Sequence, residues 1–215
     1  MYSQERERLV LELLKYSYIR SERVQQAVLT VPRELFVPSF QRSRAYDDTP
    51  LEIGHGQTIS APHMVAIMCE ELSLREGQKV LEIGAGSGYH AAIVSYLVGK
   101  KGHVYSIERI ASLAKKAKEN LSQVNIKNVT VEVGDGSLGL PNYQPYDRIY
   151  VTCAAPSVPQ ALLDQLSDTG KLLIPVGDMY CDLLLVEKKG SEITTHNRGG
   201  CVFVPLLGKY GHQKR

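Results

Sequence analysis

The sequence has no closely spaced cysteines. Cys69, Cys153, Cys181 and Cys201 stand far apart, and no C-x-x-C pair occurs. That spacing excludes a zinc site and a disulfide scaffold, and no metal is expected. Reduced, mostly buried thiols are the expectation, with a Cys181–Cys201 bridge as the alternative in a hyperthermophile. Long hydrophobic runs are also missing. The longest, Ala91 to Val98, is interrupted by Ser95, whereas a membrane helix needs roughly 20 apolar residues. The stretch Met1-Tyr2-Ser3-Gln4-Glu5-Arg6-Glu7-Arg8 is polar and carries both charge signs. It lacks the apolar core of a secretory signal, so a cytoplasmic location is expected. Charge asymmetry is small: 25 Lys+Arg against 23 Asp+Glu, a formal net charge of +2. The basic clusters are short, Lys100-Lys101, Lys115-Lys116-Lys118 and Lys214-Arg215. None makes the stripe that a nucleic-acid binder carries, so neither nucleic acid nor membrane is expected as a partner.

What is present is an ordinary globular composition. In 215 residues, 43% are hydrophobic and 22% charged, which excludes a disordered, collagen-like or coiled-coil chain. The length suits one domain spanning residues 1–215. Residues 1 to about 45 read as helical. Leu9, Val10, Leu13 and Leu14 form one apolar face, and Ser21 caps a second helix that Val31-Pro32 ends. Pro38, Pro50, Gly54, Gly56 and Pro62 mark an irregular stretch from about 38 to 62, long enough to suggest function. Pro62 suits the first turn of a helix running to Leu72.

From residue 76 the pattern alternates. Strands are predicted at 79–83, 103–107, 129–133, 148–151 and 171–174, with helices at 88–98, 111–121 and 158–166 between them. That alternation gives βαβ units and an α/β, doubly wound, mostly parallel sheet. Asp182 to Glu187 and Cys201 to Leu206 read as an antiparallel pair closing one edge, with Gly190, Asn197, Gly199 and Gly200 in the connection. Residues 1–75 are thus an N-terminal helical region with a loop, 76–188 a ligand-binding core, and 189–215 a C-terminal strand and tail.

Gly84-Ala85-Gly86-Ser87-Gly88 follows the first of these strands and opens a helix. Glycines there bring backbone N–H groups close to a ligand. A dinucleotide fingerprint would need G-x-G-x-x-G, and the position of its third glycine holds Tyr89. No Gly-Lys-Ser/Thr is present, which excludes a P-loop. Glu108 ends the second strand where a ribose-binding carboxylate is expected, and Gly134-Asp135-Gly136 follows the third.

Glu82, the G-x-G-x-G of Gly84, Gly86 and Gly88, and the strand-end Glu108 together resemble the class I S-adenosylmethionine-dependent, Rossmann-like methyltransferases. The physical logic fits such a cofactor, which carries no phosphate and needs no basic cradle. A more specific resemblance lies in Gly54-His55-Gly56-Gln57-Thr58-Ile59-Ser60-Ala61-Pro62-His63-Met64, with Tyr146-Asp147-Arg148-Ile149-Tyr150-Val151-Thr152 and Phe203-Val204-Pro205-Leu206-Leu207-Gly208. These stretches resemble the protein-L-isoaspartate (D-aspartate) O-methyltransferase family, from about Asp48 to Gly208. The resemblance implies methyl transfer from S-adenosylmethionine, leaving S-adenosylhomocysteine, to the carboxylate of isoaspartyl and D-aspartyl residues in damaged proteins. The ester then collapses to a succinimide that partly reopens as aspartate.

The resemblance also implies roles. Ser60 is the catalytic serine and touches both cofactor and acceptor. Thr58 and His63 lie beside the cofactor, Glu82 approaches its methionine end, Glu108 its ribose, and Asp135 with Gly136 its adenine. Ile59, Val204 and Leu206 line the extended acceptor peptide. A monomer is the expectation. An acceptor carboxylate is already ionised at pH 7, so no general base is needed, only positioning and removal of water. For Ser60 the structural alternative is the N-cap of the helix beginning at Pro62. Another class I methyltransferase, acting on a small molecule or nucleic acid, is the competing reading. Cys153 could serve as the nucleophile of a cytosine-5 enzyme, but Thr152 stands where those carry proline.

Overall fold

The computed structural model describes residues 2–213, so Lys214-Arg215 of the basic tail lies outside the described residues, as does Met1. The chain opens with α1 (Tyr2–Lys15) and α2 (Glu22–Thr30). Leu9, Val10 and Leu13 are buried, as their spacing predicts, and the Ser21 side chain accepts from the Val24 N–H at the start of α2. A short 3-10 turn over Arg33–Leu35 and a longer one over Ser39–Arg44 follow.

The stretch read as irregular contains a small antiparallel hairpin, β1 (Leu51–Gly54) and β2 (Gln57–Ile59). Its tip, Gly54-His55-Gly56, takes positive φ at all three residues, a turn that short glycine-rich segments supply most cheaply. Helix α3 (Pro62–Leu72) starts on its proline. Its N-cap is Ala61, so Ser60 is not the cap. The Asp48 carboxylate performs that service instead, accepting from the His63 N–H at 2.8 Å.

The main sheet has seven strands in the order β5-β4-β3-β6-β7-β8-β9. They are β3 (Lys79–Ile83), β4 (His103–Glu108), β5 (Val129–Val133), β6 (Tyr146–Val151), β7 (Leu166–Gly177), β8 (Cys181–Lys189) and β9 (Glu192–Cys201). The first five pair in parallel, β7–β8–β9 antiparallel. The chain leaves β3 towards β4 and β5, then returns to place β6 on the other side, so a switch point lies between β3 and β6. Crossovers are made by α4 (Tyr89–Val98), α5 (Ala111–Gln123) and α6 (Gln160–Asp164). Helix α4 is buried nearly all round. Helix α5 buries Leu113, Ala114, Ala117 and Leu121 and turns its lysines outward. Because side chains alternate across a strand, Val80 and Tyr150 join the core beneath α1–α4, while Leu81, Ile83, Ile149 and Val151 pack on the opposite face with Leu162 and Leu172.

Two expectations are corrected. The second strand of the antiparallel edge is Glu192–Cys201, not Cys201–Leu206. Residues 192–200 are exposed throughout and are held by backbone pairing and side-chain contacts such as Arg198 with Glu71 at 3.0 Å, so no apolar alternation marks them. Polar and charged side chains there also protect the open edge. Residues 204–206 instead cross above β6: the Ala154 N–H donates to the Val204 carbonyl at 2.8 Å, and Leu206 N–H to the Ala154 carbonyl at 2.7 Å. The helix expected through Leu166 stops at Asp164, and β7 begins at Leu166. Among the described residues no helix is long and apolar enough to cross a membrane. All four cysteines are free and buried, although Cys181 and Cys201 face each other across the β8–β9 register.

Candidate active site

A cleft of about 770 Å³ opens over the carboxyl ends of β3, β4 and β6, next to the switch point. Its floor is the turn after β3. Gly84 has φ +95°, and a Cβ there would collide with the Thr152 hydroxyl, which sits 3.0 Å from the Ile83 carbonyl and 2.7 Å from that of Gly84. Glycine is therefore required twice over, by backbone conformation and by space. Glu108 spans the floor. One of its oxygens accepts from the Gly86 N–H at 3.0 Å and the other from the Ile110 N–H at 3.0 Å, so the carboxylate ties the glycine turn to the end of β4.

Behind this floor Glu82 is fully buried and accepts hydrogen bonds from the Ser106 hydroxyl and, at 2.8 Å, from the Tyr150 hydroxyl. Burial pushes its carboxyl up to about 8, against those two hydrogen bonds, and the nearby charge of Glu108 adds to the rise. His90 lies against the Tyr150 ring, centroids 4.4 Å apart, and burial pushes its imidazole down to about 3. So weakly basic an imidazole is a poor general base at pH 7. Cys153 also lines the cleft, but burial raises its thiol well above the ordinary range. A thiol held protonated is not the nucleophile of a cytosine-5 enzyme.

One wall is Gln57-Thr58-Ile59-Ser60, from β2 and the residue after it, and the other is Val204 to Leu207. The Ser60 carbonyl is held from behind by Arg33, whose Nη2 donates to it at 2.8 Å. Of the residues singled out from sequence, the cleft gathers Thr58, Ile59, Ser60, Glu82, Gly84, Gly86, Glu108, Gly136, Val204 and Leu206. His63, Gly88 and Asp135 are not in its lining. His63 turns to Asp48, with Nδ1 at 2.9 Å, and packs on Tyr18. Gly88 serves helix packing, since a Cβ there would meet Ala117 and Leu121 at 3.3 Å. Asp135 is occupied by the chain itself, accepting from Ser137 N–H at 2.9 Å, Ser137 Oγ at 2.7 Å and Lys209 N–H at 2.7 Å. Burial raises its carboxyl, yet those bonds outweigh it and the net direction is downward.

The lining adds residues that sequence reading passed over: Gln57, Tyr89, His90, Ile107 and Arg109. The one signal for Tyr89 and His90 was their place directly after G-x-G-x-G, where the helix starts. Arg109 is the single Lys or Arg in the lining, against the carboxyls of Glu82 and Glu108. That balance, with glycines where side chains would fill the space, fits a cationic, phosphate-free cofactor such as S-adenosylmethionine. Among the described residues no three His, Cys, Asp or Glu are grouped to hold a metal.

Comparison with known proteins agrees with this geometry. A family model described as protein-L-isoaspartate(D-aspartate) O-methyltransferase matches residues 4–211. A protein-L-isoaspartate O-methyltransferase of Methanocella arvoryzae is 60% identical over 181 residues, covering 84% of this chain and 96% of its own. A solved structure of a protein-L-isoaspartate O-methyltransferase superposes with a TM-score of 0.88 at 34% identity, over 96% of this chain and 67% of that one. A Plasmodium falciparum crystal structure of the same description, in complex with S-adenosyl-L-homocysteine, gives 0.84 at 27% identity, over 94% and 98%. The chain belongs to the protein-L-isoaspartate (D-aspartate) O-methyltransferase family.

Proposed function

We propose that the cleft transfers a methyl group from S-adenosylmethionine to the carboxylate of isoaspartyl residues in damaged proteins. The observation that carries this is the shared cleft: the Thr58-Ile59-Ser60 and Val204–Leu206 segments line the same space as the glycine turn, Glu82 and Glu108. Bound S-adenosylmethionine supplies an electrophilic methyl group. On the protein side, Glu108 and the turn from Gly84 to Ser87 hold the ribose end. Glu82 places a carboxyl at the cationic methionine end, and Gly136 leaves room beside the base. Ser60 offers its hydroxyl to the acceptor carboxylate, and Thr58 lies beside it. Val204 and Leu206 offer an extended backbone along which a peptide can run, read by main-chain bonds and so tolerant of sequence. No residue need remove a proton, because the acceptor is ionised already. His90, held neutral, and Cys153, held as a thiol, are consistent with that economy.

In this reading residues 76–188 hold the cofactor, and the segments before and after them build the acceptor side within one domain. A monomer working on proteins in the cytoplasm is part of the same proposal. Two peptides differing only in Asp against isoAsp, incubated with labelled S-adenosylmethionine, test the assignment. Base-labile label on the isoAsp peptide alone is expected. Label on both or neither, or label on nucleic acid, would remove it.

A further inference from the structure

Arg33 is fully buried, yet no carboxylate pairs with it. Its Nε donates to the Ala45 carbonyl at 2.9 Å and its Nη2 to the Ser60 carbonyl at 2.8 Å, while Nη1 has no partner. The guanidinium lies 4.8 Å from the centroid of the Tyr89 ring, a residue of the cleft lining. The Tyr89 side chain also bonds the guanidinium and the Asp48 charge favours it through space, but the neighbouring carboxylates make their hydrogen bonds elsewhere. Glu34 turns to Arg6 at 3.2 Å and to the Tyr46 hydroxyl, and Asp48 takes the backbone N–H and ring of His63.

Burying a cation without an anionic partner costs several kcal/mol, and an apolar side chain of similar volume often does as well or better in such a place. The site therefore gives up stability to keep a positive charge directly behind Ser60. An anion that arrives at Ser60 would offset it. The Glu108 carboxylate in the same cleft otherwise repels a carboxylate.

Building on the reading of Ser60 as the acceptor-side serine, we propose that Arg33 is a positioning residue that supplies the buried counter-charge for the acceptor. Through the Ser60 carbonyl it fixes the segment that meets the substrate. Through its charge it makes the cleft prefer an anionic carboxylate to a neutral derivative. This preference also favours release, because the methyl ester formed is neutral and no longer attracted.

The test measures binding of two peptides in the presence of S-adenosylhomocysteine: the isoaspartyl peptide and its neutral counterpart, in which the free α-carboxylate of the same β-linked residue is an amide. Wild-type protein is expected to prefer the anion. Arg33→Met should lower that preference roughly tenfold or more, with S-adenosylhomocysteine affinity unchanged. Arg33→Lys keeps the charge and loses the two-pronged geometry, so the preference should survive while kcat falls. Equal weakening of both peptides in Arg33→Met would show a structural role only and overturn the proposal. If Arg33→Met does not fold, loss of the preference in Arg33→Lys would overturn it equally. Wild-type protein that neither binds nor methylates the isoaspartyl peptide would remove the acceptor assignment itself, a result distinct from either.

Discussion

The proposed place of Glu82 at the cationic end of the cofactor predicts that cofactor binding releases a proton. Its carboxyl is pushed up to about 8 by burial, so at pH 7 only about one-tenth of the free enzyme holds it ionised, and about one-hundredth at pH 6. A cationic cofactor favours the ionised form. If binding draws on that fraction, apparent affinity weakens about tenfold for each pH unit below 8 and levels off above it. Around pH 7 about 0.9 proton should leave per S-adenosylmethionine bound. Titration calorimetry in two buffers of different ionisation enthalpy reads that number directly. Glu82→Gln should flatten the profile between pH 6 and 9 and abolish the release. The groups facing Glu82 are the Ser106 and Tyr150 hydroxyls and the Glu108 carboxylate, and none of these hydroxyls titrates in that window. The stability of the free enzyme carries the opposite sign. A carboxyl whose folded value lies above its unfolded 4.5 contributes fully below about pH 4.5, and the contribution is lost as pH rises through 8, about 5 kcal/mol at most. Wild type should therefore lose ground to Glu82→Gln across that range in denaturant melts. A pH-independent cofactor affinity from 6 to 9, with no proton released, would refute the reasoning.

Other outcomes follow from the same geometry. Ser60→Ala should lower kcat on an isoaspartyl peptide by about tenfold to a hundredfold while the calorimetric Kd for cofactor stays within about twofold, as for loss of one hydroxyl donor at the reacting centre. Glu108→Ala should act the other way, weakening cofactor binding and lowering Tm, because the N–H groups of Gly86 and Ile110 lose their acceptor at about 1–3 kcal/mol each. Gly84→Ala should abolish cofactor binding in the same assay, since its φ of +95° is strained for alanine and the Thr152 hydroxyl must move. Tyr150→Phe should shift the midpoint of the Glu82 profile further upward by removing a hydrogen bond to the ionised form.

The parts of this molecule legible in sequence are those governed by local rules. The glycine turn and Glu108 could be found because a strand, a turn and a helix N-terminus follow one another within a short stretch. Ser21 announced its helix for the same reason. What stayed hidden depends on distant partners. The β9 strand has no apolar face because it is an exposed edge, so its residues resemble a loop. Arg33 reads as a surface charge until Ala45 and Ser60 are seen around it. Asp135 reads as a cleft residue flanked by glycines, but Lys209, far along the chain, takes its carboxylate. The Ala61 cap was missed because Asp48 reaches the helix start from outside it.

The two walls of the cleft, residues 57–60 and 204–207, lie far apart in the sequence with all seven strands of the main sheet between them. No fragment that lacks part of the main sheet contains both. Occupancy of the site is therefore a gauge of the integrity of the entire chain rather than of one motif. S-adenosylhomocysteine at a hundred times its Kd should stabilise the whole molecule by about 2.7 kcal/mol in a single cooperative transition. A nick anywhere between the walls that loosens the sheet should be felt first as lost affinity. An enzyme of damaged proteins thereby carries, in its own ligand binding, a measure of damage to itself.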